Sequence, residues 1–366
     1  MKKNSTIKDI AKAVGVSPAA VSLALNDGPR ISQVTRERIA KVAAKLHYRP
    51  NYVARTLVGS RSNTLGLVIT TILNPFYPEL AKGIEDKAVE LGYSIMLCST
   101  NYDSRHQGYL VDTLRSKGAD GIIFSSVESE DANVAALLED DFPFVLVNRK
   151  TMTAALESKI DYVVMDNVAG GFMAVEHLYR LGHRRIGIIA GALNTSTALQ
   201  RTRGARQALS EFGLAVDPHL IAECAFSKEE AYAAAGRQLS MAKPPTAFFA
   251  ENDYMALGVR QAILDVGLEI PEDIALVGFD DIEAGGIAGV ELTTVSQKKY
   301  EMGGRAAQIL IERIEQKTHS PQQVVLQPEL VIRASCGFRN KPYKTRRPGQ
   351  GPNRRARLQT LERVTK

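Results

Sequence analysis

From Thr64 onward, short and almost wholly apolar runs recur, separated by amphipathic segments of helix length. One series is LGLVI (65–69), SIMLC (94–98), GIIF (121–124) and FVLV (144–147), with helices between them ending near Leu91, Lys117 and Leu138. A second series follows in YVVM (162–165), IGIIA (186–190), AFFA (247–250) and IALVG (274–278). Runs this short and this uniformly apolar suit strands buried on both faces, as in a parallel sheet covered by helices. The alternation predicts an α/β core, and two series predict two Rossmann-like lobes. At 366 residues the chain has room for two or three domains.

The first 62 residues follow another period. Ile7, Ile10, Ala11 and Val14 fall at i, i+3, i+4 and i+7 and make one helical stripe, which Gly15 ends. Ser17 as N-cap and Pro18 at the first helical position start a second helix running to about Leu25, with Val21, Ala24 and Leu25 inward. Its opposite face, Ala19, Ser22, Leu23 and Asn26, has nothing in the segment to cover it. A third helix, capped by Ser32 or Thr35, carries Ile39, Val42, Ala43 and Leu46 on one stripe. Two short helices joined by a glycine turn and closed by a third make an all-α helix-turn-helix head, whose second helix enters the major groove of DNA. A small helical bundle of another kind has the same periodicity, so charge has to separate the two.

The net charge of +6 conceals a partition. Residues 1–62 carry twelve Lys/Arg against three Asp/Glu, residues 339–366 ten against one, and the stretch between them 24 against 36. Each end is therefore +9 and the body −12, which points to ends that meet a polyanion, nucleic acid first. No apolar run approaches the roughly 18 residues of a membrane helix, and Lys8, Asp9 and Lys12 interrupt any signal-like start, so a cytoplasmic protein without a membrane partner is expected. Cys98, Cys224 and Cys336 are odd in number and widely spaced, as fits reduced thiols rather than a disulfide framework or a zinc site. Dinucleotide-fold, P-loop, nucleophile-elbow and zincin motifs are all absent. His177 and His183, flanking the helix end in VEHLYRLGH, read as surface or C-capping residues. No catalytic residue, metal or cofactor is expected.

TIKDIAKAVGVSPAAVSLALN (6–26) and ISQVTRERIAKVAAKLHYRPNYVARTL (31–57) resemble the DNA-binding head and hinge of the LacI/GalR family of bacterial transcription regulators. The likeness continues through NPFYPEL, GADGII, VEHLYRLGHRRIGIIAG, ENDYMALG and IALVGFDD, over about residues 5–338. It implies a head over 1–49, a hinge helix and linker over 50–62, and a two-lobed, periplasmic-binding-protein-like core over 63–338 that binds an effector and dimerises. Residues 339–366 are then a basic, Pro/Gly-rich addition, disordered until bound, that either touches phosphates or only solubilises.

Carried over position by position, the resemblance sets Thr6 and Ser17 against phosphates and Pro18, Ala19 and Leu23 against bases, with Ser22 and Asn26 as hydrogen-bonding neighbours. Many relatives have a polar or basic side chain where Leu23 stands. None of the three base-facing residues can make a bidentate bond, so contact with thymine methyls remains and the operator sequence does not transfer. The hinge residues Asn51, Tyr52, Ala54, Arg55 and Leu57 lie on a helix of about two turns, too short to hold alone in water. In the family two such helices pair in the minor groove, and a leucine at the place of Leu57 wedges into the central step. A plain linker helix with Leu57 in a local core is the alternative. If the core sets the spacing of the hinges, core conformation controls DNA affinity.

Ligands of open α/β sheets sit beyond the carboxyl ends of the strands. Polar residues gather there: Thr70, Thr71 and Asn74 to Tyr77 after LGLVI, Asn148 and Arg149 after FVLV, Asp166 and Asn167 after YVVM, Glu251 to Asp253 after AFFA, and Phe279 to Asp281 after IALVG. The resemblance implies that Asp280 takes effector hydroxyl or ring N–H groups, with Asn252 beside it, Arg201 from an R-x-x-G segment, and Thr195, Thr197 and Phe226 completing the pocket. Phe76 and Tyr77 suit stacking on a flat or pyranose face, and Arg149 joins the effector set. Asn252, Asp253 and Asp166 are equally natural N-caps. The expected partners are a palindromic double-stranded operator, a second copy of the chain and a carbohydrate or other small polar ring. The sign of the response stays open. A solute-binding receptor with the same core is the competing class, and a Rossmann-type enzyme fails for want of catalytic motifs.

Overall fold

The computed structural model describes residues 5–25, 31–46, 48, 61–317 and 320–338; Asn26 and the hinge residues Asn51, Tyr52, Ala54, Arg55 and Leu57 lie outside them. The chain divides into two compact units, residues 1–62 and 63–366.

The first unit holds α1 (Ile7–Val14), α2 (Pro18–Leu25) and α3 (Gln33–Lys45). The second and third starts are capped as the sequence predicts, and the first has a cap that was not among those expected. The Asp9 carboxylate accepts both the Thr6 N–H and the Thr6 hydroxyl at 2.7 Å, the Ser17 hydroxyl oxygen accepts the Ala20 N–H at 3.1 Å, and that of Ser32 accepts the Thr35 N–H at 3.3 Å. Gly15 stops α1 at φ +77°, a left-handed conformation that favours glycine. Ile10, Val21 and Ile39, one from each helix, are wholly buried, with Ala11, Val14, Ala24 and Ala43 around them.

The second unit contains two six-stranded sheets. The first has β1 (Thr64–Ile69), β2 (Ser94–Ser99), β3 (Gly121–Phe124), β4 (Phe144–Val147), β5 (Tyr162–Met165) and β11 (Gln323–Leu326), all parallel, in the order β11-β5-β4-β3-β1-β2. The second has β6 (Ile186–Ala190), β7 (Ile221–Glu223), β8 (Ala247–Ala250), β9 (Ala275–Asp280), β10 (Thr293–Ser296) and β12 (Glu329–Val331), in the order β12-β10-β9-β8-β6-β7, with only β12 antiparallel. The helices are α4 (Phe76–Glu90), α5 (Ser104–Ser116), α6 (Ala132–Glu139), α7 (Ala154–Glu157), α8 (Asn167–Arg180), α9 (Ser196–Glu211), α10 (Lys228–Leu239), α11 (Asp253–Asp265) and α12 (Lys299–Ile314).

One expectation is corrected. YVVM does not open the second series: it is β5, paired with β4 and with β11 in the first sheet. An apolar run reports burial on both faces, and both sheets supply that equally. The chain crosses between lobes after β5, after β10 and after β11, and α12, which follows β10, returns to pack its Met302, Ala306 and Leu310 in the first lobe's core. Strands β7, β11 and β12 escape the series because each is at most half-buried and so lacks a continuous apolar run.

Candidate ligand-binding cleft

The carboxyl ends of both sheets converge on a cavity of about 20 Å³ lined by Phe76, Tyr77, Asn148, Arg149 and Tyr102 from one lobe and Thr197, Arg201, Phe226, Asn252 and Asp280 from the other, with Asn74 and Gln297 completing the wall. A second chamber of about 180 Å³ shares Tyr102, Arg149 and Phe226 with the first, and Thr195 belongs to it. The structure thus brings eight of the nine expected effector residues around one cavity and puts the ninth next door.

Arg201 organises the second lobe's wall. It is 2% exposed, donates from Nε to Asn167 Oδ1 at 2.8 Å and from Nη1 to the Glu251 carbonyl at 2.5 Å, and lies 3.8 Å from the Phe279 ring centroid. Its place depends on Gly171 of α8, where a Cβ would come within 2.2 Å of the Arg201 carbonyl oxygen, so only glycine lets α8 and α9 approach this closely. Arg201 Nη1 stands 3.8 Å from Asp280 Oδ1, which also accepts a short hydrogen bond from Gln297 Nε2. Asp280 ends β9 at φ +128°, and the Lys299 ammonium holds that bend by donating to the carbonyls of Asp280 and Asp281 at 2.6 and 2.7 Å. Burial pushes the Asp280 carboxyl up to about 7, with the Arg201 guanidinium pulling the other way.

The capping readings are sorted residue by residue. Asn252 is a cap: its Oδ1 accepts the Met255 N–H at 2.6 Å, while its side chain remains in the cleft wall. Asp166 caps α8 through the Ala169 N–H at 2.9 Å. Asp253 sits one residue inside its helix and turns into the lobe, accepting the Ile282 N–H at 2.9 Å and the Thr294 hydroxyl at 2.7 Å. Glu251 also turns inward, to the Gly191 N–H at 3.0 Å and the Thr202 hydroxyl at 2.5 Å. Phe226, at φ +56°, lays its ring over Gly191, where a Cβ would meet ring carbon at 2.1 Å. Tyr77 shares a 2.6 Å hydrogen bond with Thr70 and stands edge-on to Phe76.

Burial raises Glu251 to about 7, above its ordinary value of 4.5. The folded state therefore holds a proton that the unfolded chain releases, and the stability linked to it is present below about pH 4.5 and lost as pH rises through about 7. Glu251→Gln keeps the shape without the charge. The variant should melt higher than the parent at pH 8 and match it at pH 5; parallel melting curves at both pH values would show that Glu251 carries no such proton.

Three buried polar atoms of the wall have no partner: Asn148 Oδ1, Arg149 Nε and Gln297 Oε1. An unmade bond at a buried polar atom costs about 1–3 kcal/mol, and here two acceptors and one donor of the wall lack a protein partner. Gln297 and Tyr102 escaped sequence reasoning. Gln297 follows β10, whose TTVS has no apolar signature, and Tyr102 sits in a loop at φ +64°. His177 proves to be buried, beside the Phe338 ring, and is not a surface residue; His183 Nδ1 shares a 3.0 Å hydrogen bond with Thr246.

On the head, Pro18 and Ala19 are exposed, Leu23 is 42% exposed and Ser22 half-exposed, so the face opposite the α2 core stays open. Thr6 and Ser17 both serve as helix caps; Ser17 keeps its hydroxyl hydrogen for an outside acceptor. Among the described residues no group of three or more His, Cys, Asp or Glu could hold a metal ion, and no helix is long and apolar enough to cross a membrane.

A helix-turn-helix unit joined to a two-lobed α/β core defines a DNA-binding regulator. The family model for bacterial regulatory proteins of the lacI family matches residues 6–51, and that for a periplasmic binding protein-like domain matches residues 175–336. The HTH-type transcriptional regulator DegA of Bacillus subtilis (strain 168) is 38% identical over 334 residues, covering 90% of this chain and 98% of that protein. Among solved structures, the lac repressor dimer bound to operator and the anti-inducer ONPF superposes with a TM-score of 0.80 at 26% identity, covering 91% of this chain and 99% of that one. The CelR–cellobiose complex gives a TM-score of 0.70 at 29% identity over 90% of this chain and 99% of that one. The chain belongs to the LacI family of bacterial transcription regulators, and it is a DNA-binding regulator, not an enzyme.

Proposed function

We propose that this chain is a homodimeric repressor whose affinity for a palindromic operator is set by a small carbohydrate bound between its lobes. Residues 1–49 read DNA, 50–62 form the hinge, 63–338 sense the effector and pair two subunits, and 339–366 are a basic tail. The observation that carries the reading is the composition of the cleft: Phe76, Tyr77 and Arg149 of one lobe face Arg201, Asn252 and Asp280 of the other around one cavity, with buried polar atoms left to be satisfied. Aromatic faces beside a carboxylate, an amide and guanidinium donors suit a polyhydroxylated ring. The structural neighbour CelR is a complex with cellobiose, and the lac repressor neighbour is a dimer on its operator, which supports both halves of the reading.

A ligand that touches both walls favours one relative setting of the lobes by the difference in its contacts. The first lobe receives the chain from the hinge at Thr64, so its rotation changes where the two hinge segments emerge and whether they pair. A gel-shift titration against palindromic operators, with and without a panel of sugars, tests this. The expected result is a sequence-dependent shift that one sugar moves. A shift indifferent to every small molecule would leave a regulator without this effector control, and a sugar-binding chain with no sequence-dependent shift would be a receptor.

The Leu57 wedge has its own test. Leu57→Ala should weaken specific binding by on the order of 10- to 100-fold while non-specific binding hardly changes, because unstacking and kinking are used only at the specific site. Equal losses in both would put Leu57 in a local core instead.

A further inference from the structure

The cleft has two guanidinium groups but they are not alike. Arg201 is matched by Asp280, by the Glu251 carbonyl and by Asn167. Arg149 is 6% exposed and makes no side-chain hydrogen bond or ion pair among the described residues; its one contact of note is the Phe226 ring, 4.9 Å from its guanidinium carbon to the centroid. The acids that share the second chamber do not answer it. Asp103 is taken up by the Arg105 and His106 N–H groups at the start of α5, and Glu128 stands in the wall without pairing to Arg149. The Arg149 Nε is buried without a protein partner, which carries the cost of an unmade bond, and the side chain lines both chambers, where a group from outside can reach it. A ring that parts the lobes to widen the small cavity beside Asp280 and Asn252 would therefore present a substituent to Arg149 and to the roomier chamber beyond.

We infer that the effector is an oxyanion-bearing carbohydrate, a sugar phosphate or a sugar acid, whose charged group is held by Arg149. The inference rests on the carbohydrate reading of the cleft and adds its charge class. A guanidinium matches both phosphate and carboxylate through paired N–H donors, so the shared chemistry is a planar fork meeting two oxygens. Asn148 and Gln297 would then serve the neutral ring, where acceptors are needed for hydroxyls.

Isothermal titration of the full chain against matched sets decides it: glucose with glucose 6-phosphate and gluconate, fructose with fructose 1-phosphate, ribose with ribose 5-phosphate, galactose with galacturonate, and inorganic phosphate alone. A charged member should bind on the order of 10- to 100-fold more tightly than its neutral parent, the phosphate and acid arms showing which oxyanion is meant. Arg149→Gln should abolish that margin, and Arg149→Lys should restore part of it. Without ligand, Arg149→Gln should melt at a higher temperature than the parent protein, since it removes an unmatched buried charge; a merely structural arginine would lower the melting temperature on removal. Neutral sugars that bind as tightly as their charged partners, with no effect of Arg149→Gln, would overturn the inference and leave the carbohydrate cleft standing. Inorganic phosphate binding as tightly as any sugar phosphate would make Arg149 a site for free anions and overturn it too. No binding by any member would overturn the carbohydrate reading and this inference with it.

Discussion

Replacing Arg201 by methionine should destabilise the core by about 3–5 kcal/mol and abolish any ligand-induced rise in its melting temperature. Methionine fills much of the volume and keeps contact with Phe279, so the loss is chiefly electrostatic. It strands Asn167 Oδ1 and the Glu251 carbonyl, both in the interior, and removes the one cation within 4 Å of the Asp280 carboxylate among the described residues. Asp280, already pushed up to about 7 by burial, would lose the influence that favours its ionised form and titrate higher still. Urea denaturation followed by far-ultraviolet circular dichroism reads the stability, and thermal shift with the ligand reads the response. A variant of unchanged stability would mean that Arg201 does not organise this wall. Arg201→Lys, which keeps the charge but not the three-way geometry, should fall between the two.

Ile10→Asp should reduce operator binding to the non-specific level, a loss of about a thousandfold or more, while the core melts as before. Ile10 has no exposure and shares one buried cluster with Val21 and Ile39, and among the described residues seven buried side chains make up the interior of the head. A unit this small has little surplus stability, and a carboxylate at its centre has no partner among the six other buried side chains, all apolar. The head and the core are separate compact units, so the effect should stop at the boundary. Titration of operator DNA measures the first half, and calorimetry of the same sample the second. A core transition that drops together with DNA binding would show the two units to be energetically coupled.

The head was legible to the level of single caps, because helix periodicity and capping act within four residues. Ser17 and Ser32 cap the second and third helices as expected, Thr6 caps the first without having been expected to, and Ile10, Val21 and Ile39 meet as the stripes required. The strands of the core were legible where they are fully buried, as in GIIF and FVLV. Half-exposed edge strands divide: β2 was legible from its apolar SIMLC, whereas β7 and β12, three residues each, were lost. Most of the cleft residues were reached through the resemblance, since their spacing along the chain reveals nothing of their meeting: Phe76 and Asp280 lie some two hundred residues apart and share one wall.

Periodicity and capping decided by themselves that this chain has a helical, basic head and a strand–helix core, since each depends on neighbours a few positions away. Only the tertiary structure decided that YVVM belongs to the first lobe, that Gln297 touches Asp280, that Glu251 and Asp253 face inward, and that Arg149 is left without a counter-charge. Pairing, burial and the presence of a partner are properties of groups brought together from distant parts of the chain. An arginine reads the same in sequence whether the fold hands it a carboxylate, as it does Arg201, or an aromatic ring and an open chamber, as it does Arg149.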